Sequence, residues 1–144
     1  MPTGIPDRKL ILDTHVWFWL VNGDERLKKK LVFSRLEDAA ERMNLLVPAI
    51  CVWEIAMLEA KNRVSFATGC LKWVKEALSA PGIQLLPLTP EIAAESTRLP
   101  GSFHGDPADR LLVASARFMN ADLVTADKRI HAYAQKGWVS LLRA

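Results

Sequence analysis

At 144 residues, 50% of them hydrophobic, the chain has enough material for one compact domain with a real core and too little for a second. A formal charge of +3 and a pI near 9.0 favour an anionic partner without identifying one. The longest uncharged apolar run, LLVPAICVW, falls far short of the ~20 residues of a membrane span, and MPTGIPDRK lacks the apolar core of a signal peptide, so a soluble cytoplasmic protein without membrane contact is expected.

After a loose lead over residues 1–8, KLIL reads as a short buried strand ending at Asp13, and THVWFWLVN has the bulk and spacing of a helix. Between Glu25 and Met43, Leu27, Leu31, Leu36 and Ala40 recur near helical spacing among many charges, which suggests an amphipathic helix or a helical pair. Residues 45–47 form the next strand. AICVWEIAMLEAKN is then helical, with Glu54 the first charge in a stretch otherwise apolar from Leu45 to Leu58. Cys51 and Cys70, in apolar helical segments, read as small core hydrophobes before they read as a bridge. A further helix is predicted over roughly Ala67 to Ala80, broken by Pro81 and Gly82, and IQLLPL supplies the third strand. TPEIAAESTRL starts with Thr89 as N-cap and Pro90 at N1. PGSFHG is a loop, DPADRLLVASARFMN a helix, ADLVTAD a strand ending in another acid, and GWVSLL a last short strand. Strand and helix alternate without repeats, low-complexity tracts or linkers, which argues for a single domain, residues 1–144, with a mostly parallel sheet covered by helices on both faces.

In such sheets the functional crevice lies beyond the carboxyl ends of the strands, where Asp13 and Asp127 both fall. Glu54, one or two turns into the helix after the second strand, can lean over the same rim. Asp109 stands in the first turn of the helix that leads into the strand before Asp127. Four carboxylates so close would repel and raise one another's pKa unless a cation or basic groups offset them. Mg²⁺ is such a cation, preferring carboxylate oxygens, water and phosphate oxygens, and it supports in-line displacement at a phosphodiester. A hydrolytic nuclease follows, with water attacking phosphorus and no covalent enzyme intermediate.

Four segments in order, ILDTHVWFWL, PAICVWEIA, HGDPADRLLVASA and LVTADKRI, resemble the PIN-domain ribonucleases of the VapC type over nearly the whole chain. The resemblance implies a PIN-like three-layer α/β/α sandwich. It implies that Asp13, Glu54, Asp109 and Asp127 match the family's acidic positions around Mg²⁺ or Mn²⁺, with Thr14 and Thr125 as the accompanying hydroxyl residues. It also implies an RNA-cutting toxin of a toxin–antitoxin pair, acting as a homodimer and silenced by a cognate antitoxin. The sequence departs from many relatives in carrying Cys51 where a small hydroxyl residue is common, and in the length of its lead.

Simpler roles compete. Asp106, Pro107 and Asp109 also spell a helix start, with Asp106 as N-cap and as an outer metal group. Glu54 alone could pair with a basic residue, and Asp13 and Asp127 alone could be turn acids. Arg110 and Lys128 follow site acids directly and could hold phosphate or offset the acidic rim. His104, just before GDPAD, is the histidine nearest the proposed chemistry, whereas His131 reads as a surface residue near a helix end. Arg26, Lys28, Lys29 and Lys30, with Lys61, Arg63, Lys72 and Lys75, could border an RNA path or form solvated faces. The five tryptophans read as core or subunit contacts. The rival functions are a non-catalytic RNA-binding or antitoxin-binding module on the same fold, and a phosphatase with an aspartyl nucleophile at Asp13. The phosphatase would want a second acid close behind, where this chain has Thr14 and His15.

Overall fold

A computed structural model of the chain describes residues 8–144, so the predicted N-terminal lead, apart from Arg8, lies outside the described residues. The first strand, β1 (Leu10–Leu12), is buried along its whole length and leads directly into α1 (Thr14–Val21). The charged segment that follows is a helical pair, α2 (Glu25–Lys28) and α3 (Val32–Glu41). Next come β2 (Leu45–Pro48) and α4 (Ala49–Ala60), then α5 (Cys70–Leu78) and β3 (Ile83–Leu86). The last third carries α6 (Pro90–Ser96), α7 (Pro107–Met119), β4 (Asp122–Thr125), α8 (Lys128–Gln135) and β5 (Leu141–Arg143).

The strands form one sheet in the order β3-β2-β1-β4-β5, and every ladder among the described residues is parallel. The chain steps outward from β1 through β2 to β3, then crosses back to β4 and on to β5. Right-handed crossovers put the connections of these two directions on opposite faces, giving the predicted α/β/α sandwich. β1, β2 and β4 are buried on both faces, which explains their unbroken apolar runs. Their side chains join Val16, Trp17, Leu36, Ile55, Leu112, Val113 and Ile130 in one core.

Two local features differ from the sequence reading. The helix predicted from Ala67 begins only at Cys70, because Gly69 at φ 89° holds a backbone conformation that ends the preceding turn. His131 is not near a helix end: it lies inside α8, half-buried, with Nε2 2.8 Å from the Thr125 carbonyl. Among the tryptophans, read as core or subunit contacts, Trp17 is fully buried and belongs to the core, whereas Trp53 is 55% exposed on α4 and does not. Both cysteines are free, Cys51 buried and Cys70 only partly so.

At the amino ends of the strands, the buried Asp122 is fully partnered. Arg8 reaches it at 3.0 Å and the Ser140 hydroxyl donates to it at 2.6 Å, tying the starts of β1, β4 and β5 together. Gly82 serves the other side of the sheet: at φ 81° it passes so close to α3 that a Cβ would stand 2.1 Å from the Ala40 carbonyl oxygen.

Candidate active site

β1 and β4 are neighbours, yet the chain leaves them in opposite directions, so the sheet has its topological switch point between them. Asp13 directly follows β1, and Asp127 stands two residues beyond β4. Each caps the helix that starts there. The Asp13 carboxylate accepts the Thr14 N–H at 2.6 Å, and Asp127 Oδ1 accepts the N–H groups of Arg129 at 2.8 Å and Ile130 at 3.2 Å. Asp106 caps α7 in the same way, with Pro107 and Asp109 both in the first turn, as the DPAD sequence predicts. Acids at these helix starts are favoured by the positive ends of the helix dipoles.

Two threonines link the acids. The Thr125 hydroxyl, fully buried, donates to Asp13 Oδ2 at 2.5 Å and accepts the Asp127 N–H at 3.0 Å. The buried Thr14 hydroxyl donates to Glu54 Oε1 at 2.6 Å, joining α1 to α4. On the α7 side, His104 Nε2 lies 2.7 Å from Asp109 Oδ2, and the Arg129 guanidinium approaches the same oxygen at 3.7 Å. Arg110 points elsewhere. Its guanidinium donates to the carbonyls of Ser96, Phe103 and His104, so it supports the site by holding the loop that carries His104, and not by facing a phosphate.

The electrostatics show that the acids sense one another. Burial pushes the Asp13 carboxyl above its ordinary pKa; the hydrogen bonds from Thr125 and Thr14 oppose the rise and the Asp127 charge adds to it. Burial also raises Glu54, helped by the charges of Asp13, Asp109 and Asp106 and opposed by Thr14. Asp109 is raised by burial and by Asp106, Asp127 and Asp13, with His104 pulling the other way. Asp122 at the opposite end of the sheet pairs with Arg8 and Arg35, whereas Asp13, Glu54 and Asp109 each feel the charge of other acids and, among the described residues, only Asp109 of the three has a guanidinium within 4 Å.

These residues fit a hard divalent cation. The four acids offer oxygen donors alone, and the one nearby ring nitrogen, His104 Nε2, is engaged with Asp109. No hydrogen bond among the described residues occupies Glu54 Oε2, Asp109 Oδ1 or Asp127 Oδ2. Among the described residues, no three Asp, Glu, His or Cys side chains are already gathered at one ligating point. The fit is therefore one of donor chemistry and charge, with Thr14, Thr125 and His104 holding the acids in place.

Sequence reasoning did not single out Arg129. From the first turn of α8 its guanidinium approaches Asp109 of α7, and the residue's place in LVTADKRI carries no sign of that.

The PIN-domain family model matches residues 10–136 of the chain. The chain belongs to the PIN-domain family. Within it, this PIN domain is 36% identical over 124 residues to Ribonuclease VapC22 of Mycobacterium tuberculosis (strain ATCC 25618 / H37Rv), covering 86% of the chain and 91% of the relative. Solved structures share the fold, among them two of VapBC proteins. VapBC from Salmonella typhimurium bound to DNA superposes with a TM-score of 0.68 at 13% identity, covering 94% of this PIN domain and 98% of that chain. VapBC2 from Rickettsia felis, bound to a DNA fragment from its promoter, gives 0.65 at 16% identity, covering 93% and 97%.

Proposed function

We propose that the chain is a Mg²⁺- or Mn²⁺-dependent endoribonuclease, the toxin of a toxin–antitoxin pair, acting on RNA in the cytoplasm as a homodimer. The observation that carries this reading is the convergence of Asp13, Glu54, Asp109 and Asp127 from separate elements onto one rim, in a chain 36% identical to Ribonuclease VapC22. The VapBC neighbours support a cognate antitoxin as partner. No helix among the described residues is long and apolar enough to cross a membrane.

In this reading Asp13 and Asp109 are the principal ligands, with Glu54 and Asp127 completing the set. The cation, when bound, polarises water and stabilises the leaving oxygen of the phosphodiester. The protein's part is orientation. Thr125 fixes the rotamer of Asp13 from behind, Thr14 fixes Glu54, and His104 holds one oxygen of Asp109. Arg129, within reach of Asp109, carries a positive charge to the edge where a phosphate would arrive.

The test is cleavage of a labelled RNA pool by purified protein with and without Mg²⁺ or Mn²⁺, beside Asp13→Asn. Cutting that needs the metal and disappears in the variant supports the nuclease. RNA binding without cutting by the wild type would favour the non-catalytic module.

A further inference from the structure

A cluster of carboxylates repels the polyanion it is proposed to cut, so a strand must be held by cations close by. The structure contains such a surface on the α1–α2 side of the rim. A cavity of about 510 Å³ is lined by Trp19, Arg26, Lys29, Lys30, Ala126 and Ala144, which sets three cationic side chains against the α-carboxylate of Ala144. Ala126 places it beside the proposed centre, since this residue lies between Thr125 and Asp127. A second cavity, of about 230 Å³, shares Trp19 and Arg26 and extends to Thr14 and His15, next to Asp13. The Trp19–Arg26 pair thus lines two depressions, each of which also touches a chain neighbour of a rim acid.

The chemistry of that wall and its neighbours is divided. The Arg26 guanidinium is fixed by Asp24, Nε to Oδ1 at 3.1 Å and the terminal nitrogen to Oδ2 at 2.8 Å, and lies over the Trp19 ring at 5.2 Å from its centroid. Its charge is already partnered and its side chain is 72% exposed, so it offers a planar stacking surface more than a free cation. Lys29 and Lys30 are exposed and, among the described residues, make no ion pair or side-chain hydrogen bond, unlike Lys28, which pairs with Glu25 at 3.5 Å. They are free charges beside an aromatic platform, the combination that binds single-stranded nucleic acid.

We propose that Lys29 and Lys30 hold backbone phosphates of the RNA strand next to the scissile position, while the Trp19–Arg26 pair stacks an unpaired base. The inference rests on the ribonuclease reading and adds the subsite that makes the substrate single-stranded. An acidic polypeptide is the rival occupant, but it would use the lysines and leave the stacking surface idle.

The test measures binding of a short fluorescein-labelled oligouridine by anisotropy across a salt series, in full-length Asp13→Asn protein so that no cutting intervenes. Lys29→Ala/Lys30→Ala should weaken binding on the order of tenfold at low salt and reduce the slope of log K against log salt by about 1.4, the value for two single-strand phosphates. Trp19→Leu should weaken binding on the order of tenfold with the slope kept. Lys29→Arg/Lys30→Arg should restore both readouts. In the otherwise wild-type enzyme, the double alanine variant should raise KM with little change in kcat. Unchanged affinity and slope in the double variant would overturn the proposal, as would loss of poly-L-glutamate binding with RNA binding intact. Failure of the nuclease reading is seen separately, as absence of cutting by every protein while the binding differences persist.

Discussion

Thr125→Val is the perturbation that reads most directly on how the site is held, because one buried hydroxyl serves two acids. Valine keeps the shape and removes the donor to Asp13 Oδ2 at 2.5 Å and the acceptor for the Asp127 N–H at 3.0 Å. A hydrogen bond to a charged group contributes about 1.5–3 kcal/mol net, and an orphaned N–H costs about 1–3 kcal/mol. Returning at most about 1 kcal/mol for the added methyl leaves a loss of about 3 kcal/mol. For a chain of 144 residues this lowers Tm by roughly 10 °C. Loss of the hydroxyl also removes the largest influence opposing the rise in the Asp13 pKa, so that carboxyl is pushed higher still. A cation needs the ionised acid, and the acid limb of the pH–rate profile should therefore move to higher pH. The stability sign agrees. A carboxyl raised in the folded state contributes fully below its unfolded pKa and loses that contribution as pH rises through the folded value, so the deficit should be larger at neutral pH than in acid. Calorimetric melting across pH, with cleavage rates at matched pH, measures both. A Thr125→Val protein melting within about 2 °C of wild type, with its acid limb unmoved, would refute the reasoning.

Glu54→Gln keeps an acceptor for Thr14 and removes a charge that burial and three acids disfavour. The metal-free variant should melt a few degrees above wild type at neutral pH, the advantage fading as pH falls toward and below the ordinary value of 4.5, while cleavage drops sharply. Equal melting curves at neutral pH would show that Glu54 bears no such strain. Gly82→Ala should cost about 4 kcal/mol in urea unfolding, since its Cβ meets the Ala40 backbone at 2.1 Å and its φ is positive. Gly137→Ala, with φ 88° but open space around the new Cβ, should cost only about 1–2 kcal/mol. Similar losses for the two would remove the close-approach argument.

Much of the scaffold was legible because β1, β2 and β4 are buried on both faces and therefore appear as short unbroken apolar runs. Thr89, Asp106 and the prolines after them stand where the helices begin, since capping is local chemistry that a few residues determine. Glu54 was visible as a charge inside an apolar helix, and Asp13 and Asp127 as acids at strand ends. What the sequence concealed depends on packing angle. Arg110 and Arg129 both sit near site acids in sequence, yet Arg110 turns to the Ser96, Phe103 and His104 carbonyls while Arg129 reaches Asp109. Helical position alone does not distinguish them. His131 reads as a surface residue in a polar helix, yet its ring meets the Thr125 carbonyl six residues back, a contact set by the angle at which α8 leaves β4. For Trp53 the core half of the reading fails and the subunit-contact half stands untouched, because an apolar helix need not bury its whole circumference and α4 leaves that side uncovered.

Mn²⁺ binding, followed by the electron paramagnetic resonance signal of the free ion, decides whether the rim acids form one divalent-cation site. Wild-type protein should remove Mn²⁺ from solution saturably, and Asp13→Asn and Asp109→Asn should each weaken that binding at least tenfold while remaining folded. Equal Mn²⁺ affinity in wild type and both folded variants would contradict the account.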